Sequence, residues 1–172
     1  SVNGVDQGRS GYAKGTQKNP TYQKVGYGLT DHAEAVEVIY DPKKVSFKTL
    51  VEVFYGSHDP TTLNRQGPDK GKQYRSIAFY NNEKEKATIN KLTKELNQST
   101  FGGKIVTQIQ RIGTFYKAEE YHHSSIIVKL KSSQEGRGGG GHKKVEGSRG
   151  RRARTFARFV SYAIGAWCHR QR

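Results

Sequence analysis

From Ala35 to Ile112 the apolar residues change period element by element, and that alternation limits the fold more than any other feature of this 172-residue chain. Ala35 to Tyr40 (AVEVIY) alternates apolar and polar residues, as a half-buried strand does. Asp41-Pro42 ends it with turn chemistry. Phe47, Leu50, Val51 and Phe54 then fall at i, i+3, i+4 and i+7, which predicts a helix that Ser46 can cap. His58-Asp59-Pro60 stops it, because proline disfavours helical backbone at the residue before it. Residues 61–73 read as a polar loop and Tyr74 to Tyr80 as a second strand. Asn82, with Glu85 three residues on, opens a helix running to about Leu96. Ile105 to Ile112 is a third strand and residues 116–130 a last helix. Residues 1–30, rich in Gly, Asn, Thr and Tyr, read as an extended, turn-rich lead-in. Strands and helices in alternation predict an α+β fold, with a single layer of helices over a mixed sheet.

Composition divides the chain near Lys131. The excess of 30 Lys+Arg over 15 Asp+Glu is uneven: residues 129–172 hold 12 of the cations against Glu135 and Glu146 alone. Residues 136–150 include seven Gly, with Val145 as the one aliphatic side chain, so they read as a flexible charged linker. Beyond it Phe156, Phe159, Val160, Ala163, Ile164 and Trp167 recur at helical spacing near Arg152, Arg154 and Arg158, a candidate basic amphipathic helix. The expected organisation is a domain over 1–131 and a basic tail over 132–172. Such a tail can contact nucleic-acid phosphates or an anionic membrane surface, or have no packing role. The one cysteine, Cys168, forms no internal disulfide, which suits a reducing compartment. No run approaches the roughly 18 apolar residues of a membrane span, and no secretory signal opens the chain. The expected location is cytoplasmic. The sequence contains no Met, so Ser1 is not expected to be an encoded start.

Four polar blocks sit at turns between the apolar segments, where a scaffold displays chemistry. They are Asn19-Pro20-Thr21-Tyr22; His32-Ala33-Glu34; His58-Asp59-Pro60; and Arg65-Gln66-Gly67-Pro68-Asp69 leading into Gln73-Tyr74-Arg75-Ser76. They offer acids and hydrogen-bond donors but no nucleophile. Taken singly, Tyr22 and Tyr74 read as packing residues and Glu34 as a solvated strand residue; it is their order that suggests a site. His122 and His123, adjacent and without Cys or carboxylate partners at ligand spacing, make a poor zinc site.

The run from Gly11 to His122 resembles the type A peptide methionine sulfoxide reductases. The text that carries the resemblance is GYAKGTQKNPTY, GLTDHAEAVEVIYDPKKVSF, HDPTTLNRQGPDKGKQYRS and FYKAEEYHH, about two thirds of the chain. The resemblance implies a ferredoxin-like α/β sandwich with a mixed sheet. It implies reduction of the S epimer of methionine sulfoxide, with no bound cofactor and an external thiol reductant of the thioredoxin type. Its partners would be proteins containing methionine sulfoxide, as part of repair after oxidative stress, and the chain would be a monomer. By the same resemblance Glu34 is the proton donor to the sulfoxide oxygen. Tyr22 and Tyr74 hold that oxygen, and Asp69 and His32 belong to the substrate pocket.

The family nucleophile lies in a Gly-Cys-Phe-Trp segment after a first strand, upstream of the stretch matching Gly11. Neither that segment nor that strand stands before Gly11 here, so an incomplete or impaired reductase is expected. Cys168 is read three ways: the family's resolving thiol, a nucleophile in a permuted arrangement, or a thiol with no role. A module that binds methionine sulfoxide without reducing it is the alternative to an enzyme.

Overall fold

A computed structural model describes residues 3–118, together with the backbone of 155–160. The elements are β1 (Val5–Ala13), α1 (Tyr22–Gly26), β2 (Ala33–Tyr40), α2 (Phe47–Ser57), β3 (Arg65–Gln66), β4 (Asp69–Lys70), β5 (Ile77–Tyr80), α3 (Glu83–Ser99), β6 (Gln108–Arg111), β7 (Phe115–Lys117) and β8 (Thr155–Val160), with a 3-10 turn at Lys72–Tyr74 before β5. Six strands form one sheet in the order β6-β5-β8-β2-β1-β7; β3 and β4 form a separate hairpin. Only β5 and β6 are parallel neighbours, so the sheet is mixed, as expected.

The caps form where the sequence places them. Ser46 accepts from the Thr49 amide at 3.1 Å and Asn82 from the Glu85 amide at 2.9 Å. Glu85 reaches back to the Asn81 amide at 2.8 Å, one residue earlier than a standard capping box. Helices α2 and α3 lie over one face of the sheet. There Leu50, Val51, Phe54, Tyr55, Ile89 and Leu92 pack against Val36, Val38, Tyr40 and Ala78. Burying each large aliphatic or aromatic side chain contributes about 1.5–3 kcal/mol. The alternate residues Ala33, Ala35, Ile77 and Phe79 form a second cluster with Ala13.

The expected strand over 74–80 shortens to β5 behind the 3-10 turn that holds Tyr74, the polar loop 61–73 contains the β3–β4 hairpin, and three further expectations change in kind. Residues 5–13 form a strand, not part of a turn-rich lead-in. Gly8 and Gly11 lower the apparent strand propensity, yet a Cβ on Gly11 would collide with the Tyr116 carbonyl and the Phe115 ring, so this strand needs glycine where β7 approaches. The expected last helix over 116–130 begins as β7, which pairs with β1 at Phe115–Lys117; residues 119–130 lie outside the described residues. Thr155–Val160, expected on an amphipathic helix in a separate tail, is the strand β8 inside the main sheet. Phe, Val and Thr are strand formers, and apolar spacing over a short run does not separate helix from strand.

β8 also bears on the expected missing strand. It runs antiparallel to both neighbours, with Phe159 opposite Val36 of β2 and Ala78 of β5. The connection β2–α2–β5 therefore leaves a one-strand gap between parallel strands, and β8 fills it. A segment from beyond residue 131 thus shares the sheet of the first 118 residues.

Candidate active site

Glu34 is set by alternation along β2. It shares the helix-side face with Val36, Val38 and Tyr40, but stands outside the core cluster that they form with α2 and α3. Its Cα partner across the ladder is Tyr12 of β1. Tyr12, Val25 and Ala118 make a third buried cluster, against which Tyr22 and Tyr116 pack. Glu34 is 3% exposed. Burial, and then the charge of Asp69, push its carboxyl up to about 8. At neutral pH it is a carboxylic acid that still holds its proton.

Asp69 arrives on the β3–β4 hairpin, where it is buried opposite Gln66. Gln66 ties the hairpin down: its side-chain amide donates to the Asp59 carbonyl at 2.6 Å and accepts from the Asp59 amide at 3.2 Å. Gly67, at φ 55, makes the turn, and Gly71, at φ 141, turns the chain into the 3-10 turn. That turn packs on β2 and carries Tyr74. Gln73, buried within it, donates to the Gly26 carbonyl at 2.9 Å and so joins Tyr74's segment to the helix that begins at Tyr22. Arg75 adds two bonds, to the Asp31 carbonyl at 3.1 Å and the Lys72 carbonyl at 2.7 Å.

His32 is fully buried behind this array. It accepts from the Gly15 amide at Nδ1 (3.0 Å), so Nε2 carries the hydrogen donated to the Gln17 carbonyl at 2.7 Å. Its ring meets Tyr116 edge-on at 5.5 Å. Its described partners are thus the 14–17 loop and an aromatic wall. Gly15 is required by that contact, since a Cβ there would strike the imidazole.

His58 closes α2, two residues before Pro60. Its Nδ1–H donates to the Phe54 carbonyl at 2.7 Å, and Nε2 accepts from the Ser76 hydroxyl at 2.7 Å. Burial holds the His58 pKa below its ordinary value, which suits that neutral tautomer. Ser76, between Tyr74 and β5, also meets Thr107 at 2.8 Å.

A protein-family model described as peptide methionine sulfoxide reductase matches residues 1–135. The chain belongs to the peptide methionine sulfoxide reductase family. A relative named peptide methionine sulfoxide reductase MsrA from Methanothermobacter thermautotrophicus is 51% identical over 126 residues, covering 73% of this chain and 75% of its own length. The protein of the same name from Methanosarcina acetivorans is 52% identical over 122 residues, covering 70% and 65%. Among solved structures, reduced Mxr1 from Saccharomyces cerevisiae superposes with a TM-score of 0.66 at 36% identity, covering 79% of this chain and 76% of that one. Methionine sulfoxide reductase A of Corynebacterium diphtheriae gives 0.62 at 33%, covering 74% and 65%. Those likenesses agree with the α/β sheet-and-helix architecture described above.

Seen against the family, Glu34, Tyr22, Tyr74 and Asp69 all lie on segments that meet at one end of the sheet. Cys168 and the pair His122 and His123 lie outside the described residues. Among the described residues no group of His, Cys, Asp and Glu is disposed to hold a metal ion, and no helix is long and apolar enough to cross a membrane. Tyr12 was not singled out by the sequence reading, and Gln66 and Gln73 stood in its polar blocks without an assigned role. Tyr12 becomes visible only through the β1–β2 register, and the two glutamines only through bonds spanning 7 and 47 residues.

Proposed function

We propose that the chain handles the S epimer of methionine sulfoxide in polypeptides and that Glu34 protonates the sulfoxide oxygen. The observation that carries this is a buried carboxyl, pushed up to about 8, beside Asp69 at the sheet end where the Tyr22 and Tyr74 segments are tied together. A sulfoxide oxygen bears partial negative charge, and the charge grows as a thiol sulfur bonds to the sulfoxide sulfur. A neutral acid supplies the proton, and phenol hydroxyls supply hydrogen bonds that strengthen as that charge develops. Oxygen passes to the thiol sulfur as a sulfenic acid and the sulfide leaves as methionine. A second thiol condenses with the sulfenic acid, giving a disulfide and water.

An external reductant of the thioredoxin class, in a reducing, cytoplasmic setting, returns that disulfide to thiols, with Cys168 as the chain's own candidate resolving thiol. No bound cofactor is invoked. Asp69 acts on Glu34 through its charge and lines the pocket. His32 holds the 14–17 loop against it. The test is a chromatographic assay of S and R methionine sulfoxide with dithiothreitol as reductant. Consumption of the S epimer is expected, and no turnover above a protein-free blank by a folded chain sinks the enzymatic reading.

A second reading rests on the same buried acid beside Asp69, which can hold a sulfoxide oxygen whether or not a thiol reduces it. In that case the chain binds sulfoxide peptides without reducing them. Glu34→Gln and Tyr74→Phe should each weaken a sulfoxide peptide, while equal affinity for the reduced peptide contradicts it.

A further inference from the structure

The charge of the described body is concentrated around the site. Residues 14–31 and 65–75 carry Lys14, Lys18, Lys24, Arg65, Lys70, Lys72 and Arg75 against Asp31 and Asp69; the rest of 3–118 carries eleven cations against nine acids. These two stretches are the loops that the Gln73–Gly26 and Arg75–Asp31 bonds hold together at the Glu34 end of the sheet. Lys14, Lys18, Lys24, Lys70 and Lys72 are all exposed. Among the described residues the ion pairs are Arg9–Glu37, Lys48–Glu52 and Lys86–Glu83, so none of these five lysines takes part in one. Arg75 is different: its guanidinium serves two backbone carbonyls and is part of the scaffold. Asp31, the exposed acid among them, is already engaged by the Thr16 amide at 2.9 Å. On the same loop Tyr27 and Leu29 stand 69% and 70% exposed, an apolar surface beside the cations.

We infer that this lysine rim selects the substrate: it favours methionine sulfoxide set in an acidic stretch of polypeptide. The inference rests on the site reading above and adds a sequence preference to it. Glu34 itself is neutral at pH 7, so Asp69 is the buried acid of the site that opposes an acidic segment, while the exposed charge of the two stretches is net positive. Acidic side chains flanking the oxidised methionine meet the lysine ammonium groups. Backbone and apolar flanking atoms lie against Tyr27 and Leu29. Exposed charge complementarity acts through solvent, so the preference is salt-sensitive and modest for each contact.

The test uses the full chain and fluorescein-labelled heptapeptides with a central methionine sulfoxide or methionine, flanked by Asp/Glu, by Ser/Gly or by Lys. Anisotropy is read at low salt and at about 0.5 M salt, where screening extends over only a few ångströms. Acidic flanks are expected to bind roughly tenfold or more tightly than basic ones at low salt, with most of that difference lost at high salt. Lys14→Glu with Lys70→Glu and Lys72→Glu should abolish or invert the preference, and the corresponding triple Gln variant should flatten it. Arg151→Glu with Arg152→Glu and Arg154→Glu, which change the basic tail, should leave it in place. A preference that survives both rim variants, or that disappears only in the tail variant, overturns the inference, as does equal binding of acidic and basic peptides. The sulfoxide-against-methionine comparison is a separate axis: a charge preference with no sulfoxide preference leaves the rim standing and removes the site reading beneath it.

Discussion

Glu34→Gln gives the most informative single perturbation, because its effect on stability depends on pH in a way that no packing change imitates. The ordinary carboxyl value is 4.5, and burial beside Asp69 raises it to about 8 in the folded protein. Between those values the folded state holds a proton that the unfolded state has released. Stability conferred by that proton is complete below the unfolded value and is lost as pH rises through the folded one. Each pH unit in the window removes about 1.4 kcal/mol, so the raised pKa costs the folded state about 3 kcal/mol by pH 7 and approaches 5 kcal/mol by pH 9, as upper bounds. Glutamine has nearly the same shape and does not titrate. Relative to the parent, the variant should therefore gain stability steadily from pH 5 to pH 8 and then level off. Below pH 5 a constant offset remains, reflecting how well the amide fits. Urea unfolding at several pH values measures this. The readout is the difference between the two proteins, because His58, held below its ordinary value, tilts both curves the other way below about pH 6.5. A stability difference that stays constant from pH 5 to 9 refutes the buried neutral acid.

Further outcomes follow from the surrounding structure. Ala157→Pro removes a backbone donor from β8, a strand with neighbours on both sides, and should cost about 3 kcal/mol or more in urea unfolding; an unchanged midpoint would mean that the strand contributes nothing to the sheet. Gly15→Ala drives a Cβ into the His32 ring and should lower the melting temperature, with Gly26→Ala, which meets nothing within 4 Å, as the benign control in circular dichroism. Ser76→Ala leaves the half-buried His58 Nε2 without its 2.7 Å donor and should destabilise by about 1–3 kcal/mol; His58→Ala in the same background should then cost less than it does alone, a coupling that a double-mutant cycle reads directly. Gln73→Ala cuts the tie between the Tyr74 segment and Gly26 and should weaken sulfoxide-peptide binding more than it weakens the fold, which parallel anisotropy and unfolding measurements separate.

How much could be read in advance depended on where each feature is encoded. α2 and α3 are visible in the sequence because each buries one regular face, β2 because apolar and polar residues alternate along it even though both of its faces are buried, and Ser46 and Asn82 act within three residues of themselves. β1 was hidden by Gly8 and Gly11, the second of which its crowded neighbour β7 demands. β8 was hidden because its phenylalanines fit a helical spacing equally well, and only the open lane between β2 and β5 decides for a strand. The site divides in the same way. Glu34, Tyr22, Tyr74 and Asp69 were singled out by the resemblance to the family, carried by the ordered motifs that hold them. That Glu34 is desolvated, and that Asp69 is close enough to raise it, depends on a strand register and a hairpin anchored by Gln66, neither of which has a local signal. His32 was chosen as a pocket residue, whereas its described bonds run to backbone of the 14–17 loop. A polar residue beside a candidate acid has no sequence mark that separates holding a loop from touching a ligand.

The most direct measurement is a carbon-13 NMR titration of the protein labelled at the glutamate side-chain carboxyl carbons, with Glu34→Gln used to assign the resonance. One glutamate should keep its proton through neutrality and titrate near 8, and that signal should be the one absent from the variant. If every glutamate carboxyl instead ionises below pH 6, Glu34 is no proton donor and the proposed chemistry of the site fails.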